Sequence, residues 1–167
     1  MAFSEQFLHA EDMHPIDIVE SLAEHRDWEF DRVADDQIAM TIEGQWRNYS
    51  ITLAWSDYDE MLRMICTFDM DPPKERLPAL YEMLNRTNDM CWAGAFSYWE
   101  TQRLMVYRYG LVLCPDSAAT PAQIDRLMST AVANAEKYYP AFQLVSWGNR
   151  DGKEALQVAI AEAYGRA

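Results

Sequence analysis

Between positions 37 and 68 the apolar residues fall at every second place. Ile38, Met40 and Ile42 share one face of "QIAMTI". Tyr49, Ile51, Leu53 and Trp55 share one face of "YSITLAW", opposite Ser50, Thr52 and Ala54. Leu62, Met64, Cys66 and Phe68 do the same in "LRMICTFDM". Side chains of a strand alternate between its two faces, so a period of two marks strands. Glu43-Gly44-Gln45 and "SDYDE" separate these runs, and turns this short join antiparallel neighbours. A shorter strand is expected at residues 28–33. The same period returns after position 90, where Trp92, Gly94, Phe96 and Tyr98 alternate with Cys91, Ala93, Ala95 and Ser97. Across the turn Glu100-Thr101-Gln102, Met105, Tyr107, Tyr109 and Leu111 alternate with Leu104, Val106 and Arg108. The row of small residues predicts a closely packed neighbour there, a helix.

Elsewhere the period is helical. Pro15 opens a segment in which Ile18, Val19, Leu22 and His25 fall on one face, with Asp17 and Glu20 where the helix dipole favours acids. Asp71-Pro72-Pro73 stops the sheet and starts a helix whose stripe is Leu77, Leu80, Tyr81 and Leu84. Pro78 removes a backbone donor early in that helix, so its regular part is expected near Leu77. Thr120-Pro121-Ala122-Gln123 is a capping box, and the helix it opens is expected to run to Pro140. The following "YPAFQLVSWGN" is expected to be docked against the core. Asp151 with Glu154 resembles a second capping box for a last helix that reaches Ala163, with Gly165 as its cap. The order is helix, three or four strands, helix, two strands, two helices. Such blocks predict an α+β fold, an antiparallel sheet of about five to six strands with helices on one face. Residues 1–14 read as an N-terminal arm and residues 15–167 as one domain. At 167 residues such a domain buries roughly 70% of its unfolded surface.

Charge narrows the function. The net charge is −13, and residues 1–75 carry all of it, with 18 Asp and Glu against 5 Lys and Arg. Nucleic acid and anionic membrane surfaces would be repelled. No apolar run approaches the ~18 residues a membrane span needs, so no membrane association is expected. The start lacks a basic and then apolar leader, and the three cysteines form no C-x-x-C pair, so the expected location is cytoplasmic with reduced thiols.

Candidate chemistry is sparse. The histidines, His9, His14 and His25, all lie in the first 25 residues, and five-apart His9 and His14 make a poor metal pair. Neither a nucleophile elbow nor a phosphate-cradling loop is present. The paired acids of "DYDE" and "DPPKE" lie in turns, where nothing desolvates them into acid–base catalysts. No catalytic, cofactor-binding or metal-binding residue is therefore expected, and no enzyme. What remains is an interaction set: Trp46, Trp55, Trp92, Tyr98, Trp99, Tyr107, Arg108 and Tyr109. Each aromatic reads either as core or as a contact, since Trp and Tyr are enriched in binding hot spots. Arg108 reads either as a rim cation or as an anchor for a carboxylate or a partner chain. The stripe Leu77, Leu80, Tyr81 and Leu84, or an open sheet edge, is the expected face of a homodimer.

Several segments carry a family resemblance: "HPIDIVESLAEHRDW", "YSITLAWSD", "TNDMCWAGAFSYW", "LMVYRYGLVL" and "YPAFQLVSWG". Asn88, Trp92, Gly94 and Phe96 form an N-x-x-x-W-x-G-x-F pattern, followed by Arg108 and by Tyr139, Pro140, Phe142, Trp147 and Gly148. The chain resembles the YbjN family of bacterial sensory transduction regulators over residues 15–148. The resemblance implies a fold similar to class I type III secretion chaperones, which are small, acidic, usually dimeric and bind extended polypeptide. It brings no catalytic residues. Two functions are consistent with the whole: a non-enzymatic regulatory or interaction domain that binds a polypeptide partner, or a small-molecule sensor with an aromatic pocket.

Overall fold

A computed structural model describes residues 13–114 and 117–165. Residues 1–12 of the expected arm, His9 among them, lie outside the described residues. Helix α1 (Pro15–His25) is followed by strands β1 (Glu29–Ala34), β2 (Gln37–Glu43), β3 (Asn48–Ser56) and β4 (Met61–Asp69). Then come α2 (Leu77–Asn88), the hairpin β5 (Ala95–Trp99) and β6 (Leu104–Val112), and the helices α3 (Pro121–Trp147) and α4 (Gly152–Gly165). The fold is α+β: one open six-stranded sheet in the order β1-β2-β3-β4-β6-β5, antiparallel throughout. After α2 the chain lays β5 at the far edge, and β6 returns between β5 and β4.

The alternation sorts the two faces. Met40, Ile51, Cys66, Tyr107 and Phe96 stand in one row across five strands, and all are buried. Beneath them lie Ile16, Ile18, Val19 and Ala23 of α1, Leu80 and Met83 of α2, and Ile124, Met128, Ala131, Tyr138 and Phe142 of α3. Ile16 and Ala23 take the place expected for His25, which is exposed. The opposite row is Ala39, Thr52, Ile65, Arg108 and Ala95. Ala95 and Ser97 lie on this second face, away from the helices, so the helix expected against the small residues is on the other side. That inversion follows from Phe96 and Tyr98, whose large rings claim the helix-covered face.

Helix ends obey local chemistry. His14 caps α1, its Nδ1 accepting from Ile16 N at 3.2 Å. Thr120 and Gln123 bond reciprocally, at 2.9 and 3.1 Å, to open α3. Helix α2 begins at Leu77 after a short 3-10 turn. Against expectation α3 does not stop at Pro140; it continues to Trp147. Proline inside a helix costs roughly 3 kcal/mol, but Tyr138, Phe142 and Val145 continue the buried stripe through it, and their burial outweighs that cost. No described helix is long and apolar enough to cross a membrane.

Burial also fixes how the fold responds to alkali. The Cys66 thiol is pushed from 9 up to about 12 by burial. The Tyr138 phenol rises from 10 to about 12, chiefly by burial, and Tyr49 rises further by burial and its bond to Glu136. In the unfolded chain these groups lose protons at their ordinary values. Above those values the unfolded state binds fewer protons than the native one, so stability falls as pH rises. The urea midpoint is expected to be lower at about pH 10.5 than at about pH 7.5; equal midpoints would contradict this.

Candidate functional site

The site is built at the end of the sheet where α2 passes into β5. Asn88, the last residue of α2, clamps the entry to the strand: its amide donates to Phe96 O at 2.9 Å and its carbonyl accepts from Phe96 N at 2.7 Å. Turns held by Met90 N to Thr87 O and Cys91 N to Asn88 O shape the loop between. At Gly94 an added Cβ would lie 2.6 Å from the Tyr107 ring and 2.7 Å from Arg108 O, so only glycine lets the backbone pass there. Phe96 then enters an aromatic cluster with Tyr107, Tyr138 and Phe142, ring centroids 5.0, 6.0 and 5.2 Å away. Asn88, Gly94 and Phe96 thus have structural work. Trp92, in the same pattern, has none among the described residues: it is 97% exposed on a loop pinned at both ends, and Met90 beside it is 41% exposed.

Next to this loop β6 outruns its partner. β5 pairs only as far as Ala95 with Arg108, whereas β6 continues to Val112 against β4. Residues 109–112 are therefore a sheet edge. Leu113 N donates to Glu60 O on the β4 side at 2.9 Å. Backbone groups alternate in direction along a strand, so those of Gly110 and Val112 point away from β4. They find no backbone partner among the described residues. On the helix side of this edge lies an open cleft of about 190 Å³. Tyr109, Leu111 and Leu127 form its apolar floor, Gln123, Arg126 and Thr130 of α3 its rim, and Ala93 its border with the Trp92 loop.

Charge is distinctive here. Arg26, Arg32, Arg47, Arg63, Arg86, Arg103 and Arg150 each pair with a carboxylate. Arg76 donates to Val145 O and Arg150 O. Arg108 and Arg126 have neither an ion pair nor a side-chain hydrogen bond to another described residue, and they flank this edge on opposite faces of the sheet.

The expected interaction set divides accordingly. Tyr109 lines the cleft, Trp92 stands on the loop that borders it through Ala93, and Arg108 precedes Tyr109 on the opposite face of the sheet. Tyr107 is core, its hydroxyl accepting from Asn134 at 3.1 Å. Tyr98 donates to Met70 O at 2.9 Å; it and the partly buried Trp99 are at the opposite end of the strands. Trp46, 38% exposed and stacked on Tyr139, is also at that far end. Trp55 is half-buried, edge-on to His14, and donates to Asp57 at 2.6 Å. The α2 stripe is not a free face: Leu80 and Leu84 are buried within the chain's own core, Leu77 packs against it, and only Tyr81 is exposed, bonded to Glu100. Met83 and Thr87 share the buried side, because α4 packs on α2. Leu111, Gln123, Arg126, Leu127 and Thr130 were absent from the expected set. The spacing of Leu111 and Leu127 signals core and Gln123 signals a helix cap, while nothing in the sequence marks Arg126 or Thr130.

Among the described residues no three His, Cys, Asp or Glu are grouped to hold a metal ion. The arrangement offers backbone donors and acceptors, an apolar floor and two cations. No curated protein matches the sequence. The sequence model of the YbjN family, described as "Putative bacterial sensory transduction regulator", matches residues 15–144, from the first residue of α1 deep into α3. With most of its length, the clamp, the glycine passage and the aromatic cluster inside that match, the chain belongs to the YbjN family.

Proposed function

We propose that the chain is a non-enzymatic regulatory domain that acts in the cytoplasm by binding a polypeptide partner, in the manner of a chaperone. One observation carries this reading: Trp92 is held almost fully in solvent by a loop whose other pattern residues are fixed. An exposed tryptophan on a rigid support is a hot-spot anchor, because it buries a large ring without ordering a flexible segment. The cleft beside it is smaller than the roughly 300–1,000 Å³ usual for drug-sized ligands, which favours a side chain over a free small molecule as its occupant.

The test is capture from a native bacterial lysate on immobilised protein. The wild type is expected to recover a specific protein, and Trp92→Ala about tenfold less of it or weaker still. The thermal midpoint of Trp92→Ala is expected to stay within about 2 °C of the wild type, because its ring touches no core. Failure to recover a specific protein, or equal recovery by the variant, would sink the proposal. The likeness to the secretion chaperones adds the expectation of a homodimer. Light scattering should then give twice the 19.4 kDa chain mass; the single-chain mass at micromolar concentration would remove the dimer and leave the binding reading to the capture experiment.

A further inference from the structure

We infer that residues 109–112 of β6 take in an extended polypeptide segment as an added strand, one in which an apolar side chain is flanked by acidic ones. The inference deepens the polypeptide-binding reading above and rests on it. The sheet has three stretches of edge that no described strand covers. Exposed strand edges attract further strands unless something blunts them. At β1 the blunting is done by Glu29, Asp31, Asp35 and Asp36 and by a bulge between Arg32 and Ala34. At β5 it is done by Asn88, whose amide occupies the outward N–H and C=O of Phe96. At residues 109–112 neither device is present among the described residues. The outward groups belong to Gly110, which has no side chain, and to Val112, which is 64% exposed and uncharged.

The guest's chemistry follows from what surrounds that edge. A strand paired to Gly110 and Val112 alternates its side chains across the sheet. Those pointing to the helix side meet Tyr109, Leu111 and Leu127 in the cleft, which suits an apolar residue. Its immediate neighbours point to Arg108 on the opposite face, and a residue two positions along, on the helix side again, reaches Arg126 at the cleft rim; these are the two arginines with neither an ion pair nor a side-chain hydrogen bond to another described residue. An acidic guest supplies those partners; a basic one meets two uncompensated guanidinium groups. Main-chain bonds then give affinity, and the cleft and the arginines give selectivity. Trp92, across Ala93 from the cleft, stands exposed beside the guest.

A phage-displayed library of random peptides, about twelve residues long, is the probe. It is selected on the full chain, and the recovered sequences are resynthesised for fluorescence anisotropy. Recovered peptides are expected to carry an apolar residue between Asp or Glu and no central proline. Val112→Pro deletes one outward N–H while leaving the cleft in place, since proline is tolerated at an edge strand with its nitrogen toward solvent. It should weaken binding about tenfold or more. Arg126→Glu, on an exposed stretch of α3, should do the same and guards against a folding defect in the proline variant; thermal melts check both. Recovery of no peptide, recovery of basic peptides, or unchanged affinity in both variants would overturn the inference. So would loss of a homodimer in Val112→Pro, because the occupant would then be a second copy. If the lysate partner depends on Trp92 but binds both edge variants fully, the polypeptide reading survives and this edge is not its seat.

Discussion

Phe96→Ala is expected to lower the free energy of unfolding by about 3–5 kcal/mol, the usual loss for a large aromatic deleted from a core. The ring is buried in the core and meets three others edge-on, one from β6 and two from the C-terminal half of α3. Removing it opens a cavity that Tyr107 and Phe142 cannot fill. Tyr107 is held by Asn134, and Phe142 by the helix that carries it. The alanine leaves the Asn88 clamp in place, because that clamp engages only the backbone of residue 96. The loss therefore reports the ring alone. Urea denaturation at neutral pH measures it; a loss below about 1 kcal/mol would mean that the cluster is not packed as described.

Glu136→Ala should cost about 2–3 kcal/mol, although Glu136 is not deeply buried. Its carboxylate accepts from the Tyr49 hydroxyl at 2.5 Å, from Gln45 N at 3.1 Å and from Trp46 N at 3.4 Å. One side chain thereby ties the β2–β3 turn to α3. Gly44 completes the arrangement, since an added Cβ would lie 2.4 Å from both the carboxylate and the Tyr49 ring. Alanine strands the phenol of Tyr49, a residue with no exposed surface, and a buried donor without a partner is what makes such a loss large. Glu136→Gln keeps an acceptor and should cost less than half as much. In the double variant with Tyr49→Phe the losses should fall short of their sum, because both remove the same bond. Urea curves for the four proteins give the coupling; strict additivity would show that the bond contributes nothing.

Much of this fold was legible because strands announce themselves. Ile51, Leu53 and Trp55 against Ser50, Thr52 and Ala54 fix both a strand and its buried face, and the Thr120 capping box fixes a helix start. The continuation through Pro140 was hidden because a local rule about a missing donor was outweighed by distant burial. Even so, Tyr138, Phe142 and Val145 keep helical spacing across it. The site was less legible. Alternation runs unbroken from Trp92 to Tyr98, so nothing in the sequence shows that pairing begins only at Ala95. That shortfall is what creates the free edge. Nor can a sequence show which arginines find partners: Arg26 reaches Asp125, and Arg76 reaches the carbonyls of Val145 and Arg150, only once the chain has folded.

Helix α3 supplies the wall of the cleft through Gln123, Arg126 and Leu127 and the anchor of the far turn through Glu136. At about 1.5 Å per residue, the stretch from 123 to 136 sets these two points about 20 Å apart. No hinge lies between them, since Pro140 comes later. The protein thus carries an internal yardstick. A substitution that breaks the helix between residues 123 and 136 would therefore loosen the cleft wall and the far turn together.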